Sequence, residues 1–199
     1  IGIFESITSS MTSDVKYSKY LELLAYYDDV IRLPNRNYIS EVIKDRIEKF
    51  KKINSSFWIM FIEIRNFGFI NEIFGHTVGD EFLKSVSFEI KKAIPREWIL
   101  GRFGGDELVI VTTCAKKQVI IEKSLELINR FSKNWQVLGK TFFANINIGI
   151  AGYPDDGKNV SELLKNAEAA LTWAKRRARD VRKSQYELYS PRIAEYILN

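Results

Sequence analysis

Three groups of residues have the types and spacing to do chemistry. Gly104-Gly105-Asp106-Glu107 sets two adjacent carboxylates behind two glycines. Glycines let a ligand approach the backbone closely, and paired carboxylates hold hard cations such as Mg²⁺. Gly-Gly-Asp is also ordinary turn chemistry, and the residues alone leave both readings open. The run Asn71-Glu72-Ile73-Phe74-Gly75-His76-Thr77-Val78-Gly79-Asp80 offers an amide and a carboxylate. Guanine presents two neighbouring N–H donors beside a carbonyl acceptor, and a carboxylate with an amide matches that edge. Asparagine and aspartate equally cap helices, and spacing alone favours capping. Lys175 and Arg179 stand four apart on one helix face. Two such cations can clamp a polyphosphate, or simply form a solvated basic face.

The elements that must position these groups follow from periodicity. Asp14 to Tyr27 is predicted helical, with Tyr17, Tyr20, Leu21 and Leu24 at helical spacing. The turn Leu33-Pro34-Asn35-Arg36 precedes a second helix, from about Tyr38 to Lys51. Residues 57 to 64 read as a buried strand, and 66 to 79 mix loop and helix signals. Phe82 to Ala93 is helical, with Leu83, Val86 and Ile90 on one face. Trp98 to Phe103 and Leu108 to Thr113 are short strands joined at Gly104-Gly105-Asp106-Glu107, hence a hairpin. A helix is expected from about Lys117 to Lys133, and a single strand from Phe142 to Ala151. Pro154, Asp155, Asp156 and Gly157 make a turn. Asn159 with Glu162 forms a capping box for a helix whose core face is Leu164, Ala167, Leu171 and Ala174. Gln185 to Tyr189 is a candidate last strand, and an amphipathic helix begins after Pro191. Alternating strands and helices with one hairpin predict an α/β (α+β) fold, a mixed sheet covered by helices.

Composition narrows the function classes. The 199 residues are 46% hydrophobic and 13% aromatic, enough to build a core. No apolar run is long enough to cross a bilayer. Cys114 is the one cysteine and His76 the one histidine, so an intrachain disulfide is excluded and a His/Cys zinc site is disfavoured. His76 reads as a structural hydrogen-bonding residue, Cys114 as a small apolar residue at a strand end. Trp58, Trp98 and Trp173 are expected to pack and Trp135 to be partly exposed. The formal charge is +5, with positives at Lys175, Arg176, Arg177, Arg179, Arg182 and Lys183. A basic helix end suits the helix dipole, so no nucleic-acid partner is expected. The first residue is Ile1, no secretory pattern precedes the domain, and a fragment of a longer cytoplasmic protein is the expectation.

Taken together, Leu33-Pro34-Asn35-Arg36, the Asn71 to Asp80 run, Arg102-Phe103-Gly104-Gly105-Asp106-Glu107-Leu108, Asn147-Ile148-Gly149-Ile150-Ala151 and Ala167 to Arg179 resemble GGDEF domains, the diguanylate cyclases, across residues 28 to 190. The resemblance implies a five-stranded mixed sheet like the palm of adenylate cyclases. It implies an activity that joins two GTP into cyclic-di-GMP, with Mg²⁺, in a homodimer that brings two sites face to face. Matched residue by residue, Asn71 and Asp80 contact guanine, while Glu63, the Ile64 carbonyl and Asp106 hold metal. Glu107 pairs with Lys175, and Arg179 reaches the terminal phosphates. Gly104 and Gly105 let the nucleotide approach. Phe67 and Gly68 lie in the 66–69 loop, whose N–H groups could meet phosphates at a helix start.

Several positions depart from the family pattern. Its Asp-x-Asp-x-Phe-Lys reads here Glu63-Ile64-Arg65-Asn66-Phe67-Gly68. Glu63 is one methylene longer than aspartate. Arg65 replaces an acid and points the same way along the strand, so it could pair with Glu63 and displace the metal, or stand in for the lysine lost at Gly68. Leu108 replaces phenylalanine and Ala178 a common glycine. Pro95 and Trp98 stand where the product-inhibition motif has arginine and aspartate, so that feedback is expected to be absent. The lead-in Leu24-Ala25-Tyr26-Tyr27-Asp28 resembles a linker helix (1–27) from a sensor domain, and Tyr189-Ser190-Pro191 resembles the join, over 191–199, to an EAL phosphodiesterase domain. Such tandems are compatible with an active cyclase in the cytoplasmic part of a membrane-anchored sensor. They are equally compatible with a degenerate GTP-binding regulator of the EAL neighbour.

Overall fold

The computed structural model describes residues 13–177 and 185–198. Ala178, Arg179, Arg182 and Lys183 lie outside the described residues. Helix α1 (Ser13–Tyr26) leads through a turn into α2 (Arg36–Lys52). The Asn35 side chain caps α2 by accepting from the N–H groups of Asn37 and Tyr38, donors that a helix start leaves unpaired. Then come β1 (Phe57–Ile64), α3 (Phe67–Phe74) and α4 (His76–Ala93), the hairpin β2 (Ile99–Gly104) and β3 (Glu107–Val111), and α5 (Lys117–Phe131). A second hairpin, β4 (Lys133–Val137) and β5 (Lys140–Ala144), precedes β6 (Ile146–Tyr153), α6 (Val160–Arg177), β7 (Tyr186–Leu188) and α7 (Pro191–Leu198).

The main sheet has five strands in the order β2-β3-β1-β6-β7. All neighbours are antiparallel except β6 and β7, which gives the mixed sheet expected from the sequence. Strand β1 is central, and its alternation sends side chains to two cores. Phe57, Ile59 and Phe61 pack with Ile39 and Ile43 of α2 and Leu163, Ala167 and Leu171 of α6. Met60, Ile62 and Ile64 pack with Phe82, Leu83, Val86 and Ile90 of α4 and with Ile120 and Leu127 of α5. Each such fully buried side chain stabilises the fold by about 1.5–3 kcal/mol. Glu63 continues the Phe57–Ile59–Phe61 face one step past its apolar packing. It therefore meets the sheet end that α6 overhangs.

Four expectations are corrected. The single strand from Phe142 to Ala151 is two, β5 and β6, parted at Asn145, whose carbonyl accepts from the Arg65 N–H at 2.9 Å. The helix expected to reach Lys133 stops at Phe131, because Lys133 pairs with Ala144 to start β4. That hairpin carries Trp135 inward, where it is 7% exposed and contacts the rings of Phe82 and Phe131. On α6 the buried stripe is Leu163, Ala167, Ala170, Leu171 and Ala174, spaced as one helix face; Leu164 sits at its edge. No described helix is long and apolar enough to cross a membrane.

Candidate functional site

The Gly-Gly-Asp-Glu segment is a two-residue turn. Gly104 pairs with Glu107 across the hairpin, leaving Gly105 and Asp106 as its tip. Gly105 has φ +34°, a region that side chains disfavour. Arg102 braces this tip. Its Nε and Nη2 donate to the Gly105 carbonyl at 3.0 and 2.8 Å, and its Nη1 contacts both carboxylate oxygens of Asp28 at 3.0 and 3.1 Å. The Ile64 N–H donates to the Asp106 carbonyl at 3.0 Å, tying the tip to the end of β1. Glu63 and Glu107 are direct partners in the β1–β3 register, so Glu63, the Ile64 backbone, Asp106 and Glu107 come together.

Lys175 joins them from α6. A Cβ on Gly149 would lie 2.1 Å from the Ala167 carbonyl oxygen and 2.2 Å from the Leu171 nitrogen, so the bare glycine lets α6 rest directly on β6. One turn beyond Leu171, the Lys175 Nζ bonds Glu63 Oε1. Lysine was expected to pair with Glu107. It bonds Glu63 instead. Glu107 has its pKa raised, chiefly by burial and then by Glu168, Asp106 and Glu63, while Lys175 pulls it down. Glu107 thus feels three other carboxylates and one ammonium. Glu168 belongs to this group although neither the turn nor the helix pattern pointed to it.

The third part is a tight corner between α3 and α4. Asn71 lies in the last turn of α3, and its side chain rests against Gly79: a Cβ there would sit 1.8 Å from Asn71 Oδ1. That oxygen is buried with no hydrogen-bond partner. Neither Asn71 nor Asp80 caps a helix. Helix α4 begins at His76 with Gly75 before it, so Asp80 lies inside the helix, beside Gly79. The capping reading falls, and an unsatisfied buried acceptor beside a carboxylate remains. At the start of α3, Asn66 lends no side-chain bond to the first turn, which leaves backbone N–H groups for an anion. Only the backbone of Phe67 can serve there, since its ring is 7% exposed and stacks on Phe82; Gly68 is open. A separate cavity of about 230 Å³ touches the turn through Gly104 and Gly105, lined also by Asp28, Asn35, Arg36 and Arg102.

Mg²⁺ takes oxygen ligands and keeps one or two protein carboxylates beside substrate phosphates. Among the described residues, no three His, Cys, Asp or Glu side chains are grouped to hold a metal. A metal at this end would therefore draw on Glu63, Asp106, the Ile64 carbonyl and phosphate oxygens. The acidity around Glu107 suits a cation. The donor set fits the ion on condition that Glu63 exchanges Lys175 for it.

A family model described as Diguanylate cyclase, GGDEF domain matches residues 25–181. The chain belongs to the GGDEF domain family. Signaling protein YkoW of Bacillus subtilis is 30% identical over 92% of this chain and 23% of its own length. The bifunctional diguanylate cyclase/cyclic di-GMP phosphodiesterase MucR of Pseudomonas aeruginosa is 29% identical over 85% of this chain and 25% of its own. The chain spans about a quarter of the length of these relatives. Among solved structures, the GGDEF domain of TpbB (YfiN) from Pseudomonas aeruginosa superposes with a TM-score of 0.81 at 24% identity, over 87% of this chain and 100% of that one. A sensory box/GGDEF family protein from Caulobacter crescentus gives 0.72 at 27% identity, over 77% of this chain and 99% of that one. The molecule is a GGDEF domain of cyclic-di-GMP signalling, with the fold its motifs implied.

Proposed function

We propose that this GGDEF domain is a GTP-binding regulatory module that takes up the nucleotide with weak metal dependence and controls a linked EAL phosphodiesterase domain. One observation carries the reading: Lys175 occupies the Glu63 carboxylate that a catalytic metal would need. The protein supplies its own cation there, and the Asn71–Gly79–Asp80 corner retains a guanine-shaped set of polar groups. Asp80 accepts from the two guanine donors, and the α3 N-terminus faces phosphate. The domain then spans 28–190, between a linker helix and the join to its neighbour. Calorimetry of GTP with and without EDTA tests this, together with phosphodiesterase assays of the full-length protein. Binding that survives EDTA and changes hydrolysis supports the reading; no GTP binding in either buffer ends it.

A second reading, an active homodimeric diguanylate cyclase using Mg²⁺, is favoured by the braced turn that keeps Asp106 and Glu107 beside Glu63. Asp106, Glu63 and the Ile64 carbonyl would hold the ion, which would neutralise phosphate charge and lower the pKa of a bound hydroxyl. The chain's own part is positioning: Asn71 and Asp80 fix the base, Lys175 and Arg179 the phosphates, and Gly104 and Gly105 admit the reacting group. Cyclic-di-GMP formed from GTP and Mg²⁺ by a dimeric protein would establish it, and no product at high protein concentration would exclude it.

A further inference from the structure

Asn147 lies on β6 directly opposite Glu63 in the β1–β6 register. It is fully buried, and its Nδ2 has no acceptor. The amide orientation is fixed, because Oδ1 accepts from the Gln185 N–H at 3.1 Å, and only the oxygen can do so. Gln185 leads into β7, on the side of β6 away from β1. An amide whose oxygen is held toward β7 turns its nitrogen back toward β1. Directly opposed residues in an antiparallel pair have Cβ atoms about 4.5–5.5 Å apart, within reach of a glutamate arm. Leaving a buried donor unpaired is costly, so the observed arrangement leaves one bond of Asn147 to be made.

The geometry points to Glu63 as a two-position arm and to Asn147 as the residue that receives it. With Lys175 on Glu63, the lysine is withheld from the nucleotide site and the Asn147 Nδ2 waits unpaired. When a nucleotide polyphosphate draws the Lys175 ammonium to its oxygens, the released Glu63 carboxylate turns to the Asn147 Nδ2–H. Each group then has a partner: lysine with phosphate, glutamate with amide. Asn147 touches no substrate in this scheme. It acts through Glu63 and makes the site respond to a polyphosphate rather than to a nucleoside or monophosphate. The inference rests on the proposed GTP binding. It assigns to that same site what sets its phosphate selectivity.

The test compares GTP and GMP affinities by calorimetry in EDTA, so that no divalent ion enters. Asn147→Ala should weaken GTP about five- to tenfold and leave GMP unchanged, because GMP lacks the distal phosphates that draw the lysine. Glu63→Gln should shift GTP the other way, several-fold tighter, since the neutral amide releases Lys175 yet still accepts from Asn147. If Asn147→Ala does not fold, Asn147→Asp replaces it: the variant keeps an acceptor for Gln185, loses the donor, and should likewise weaken GTP alone. Equal losses for GTP and GMP would mean a merely structural role and overturn the proposal. Unchanged GTP affinity in the Asn147 variants would overturn it as well. Failure of the wild-type protein to bind either nucleotide would instead remove the GTP-binding reading, and this inference with it.

Discussion

The two parts of the candidate site are built on opposite principles. At the α3–α4 corner, Asn71 is pressed so closely on Gly79 that no side chain fits between them, and one buried acceptor awaits a donor. That corner is shaped in advance and lacks only a ligand atom. At the sheet end, Lys175 is already engaged with Glu63, and the pKa of Glu107 is raised by its burial first and then by Glu168, Asp106 and Glu63. Shape is complete at the first end, while charge is provisionally settled at the second. On the proposed function, such a site would select its base by fit and its phosphates by exchange of ion-pair partners.

The contrast can be broken most severely at Gly79. Gly79→Ala forces a methyl into the space of the Asn71 amide and should cost about 2 kcal/mol of stability, as overpacking does, with GTP affinity falling alongside it. A melting temperature and GTP affinity equal to wild type would show that the corner is not tight. Asp80→Ala should leave the fold intact and reduce the preference for GTP over ATP by about ten- to a hundredfold, because two guanine donors lose their acceptor. Competition binding that finds the preference unchanged contradicts the assignment of Asp80. Arg102→Lys replaces a planar fork, which bridges Asp28 and the Gly105 carbonyl, with a single ammonium. About 1 kcal/mol of stability should go with it, and hydrogen exchange should quicken at the turn; protection equal to wild type would relieve Arg102 of the bracing role.

The smallest effect sharpens the charged end. A carboxyl whose folded pKa lies above its unfolded value stabilises the fold when protonated. That contribution is full below the unfolded pKa and is lost as pH rises through the folded one. For Glu107 the loss begins in the ordinary glutamate range and is complete only above it. Glu107→Gln should therefore match wild type in acid and exceed it at neutral pH by a few tenths of a kcal/mol, a figure kept small by solvent screening. Thermal melts from pH 4 to pH 8 measure the difference, and curves that stay parallel would mean the carboxylates are not crowded.

Much of this was legible in the chain because local signals agreed with the fold. Paired glycines between two apolar runs gave the hairpin, and Ala167, Leu171 and Ala174 gave the α6 face. What escaped depended on distant partners. Nothing near Asn145 announces a break between two strands of similar β character; they part because β5 pairs with β4 in a separate hairpin while β6 pairs with β1. The helical pattern ran past Phe131 because Lys133 joins a strand only through Ala144. The partner of Lys175 lies 112 residues away, and the spacing along the chain does not tell Glu63 from Glu107. Glu168 carried no mark of its own, since an acid on an exposed helix face is ordinary until Glu107 is seen nearby.

The Arg102 brace ends at two places with different owners. One is Gly105, at the tip that presents Asp106. The other is Asp28, just beyond α1, where the Asp28 N–H also donates to the Leu33 carbonyl and the Asn35 N–H to the Tyr26 carbonyl. The turn after α1 and the acidic tip are thus joined through one guanidinium on the edge strand β2. The domain has a short mechanical linkage between its approach helix and its acidic turn.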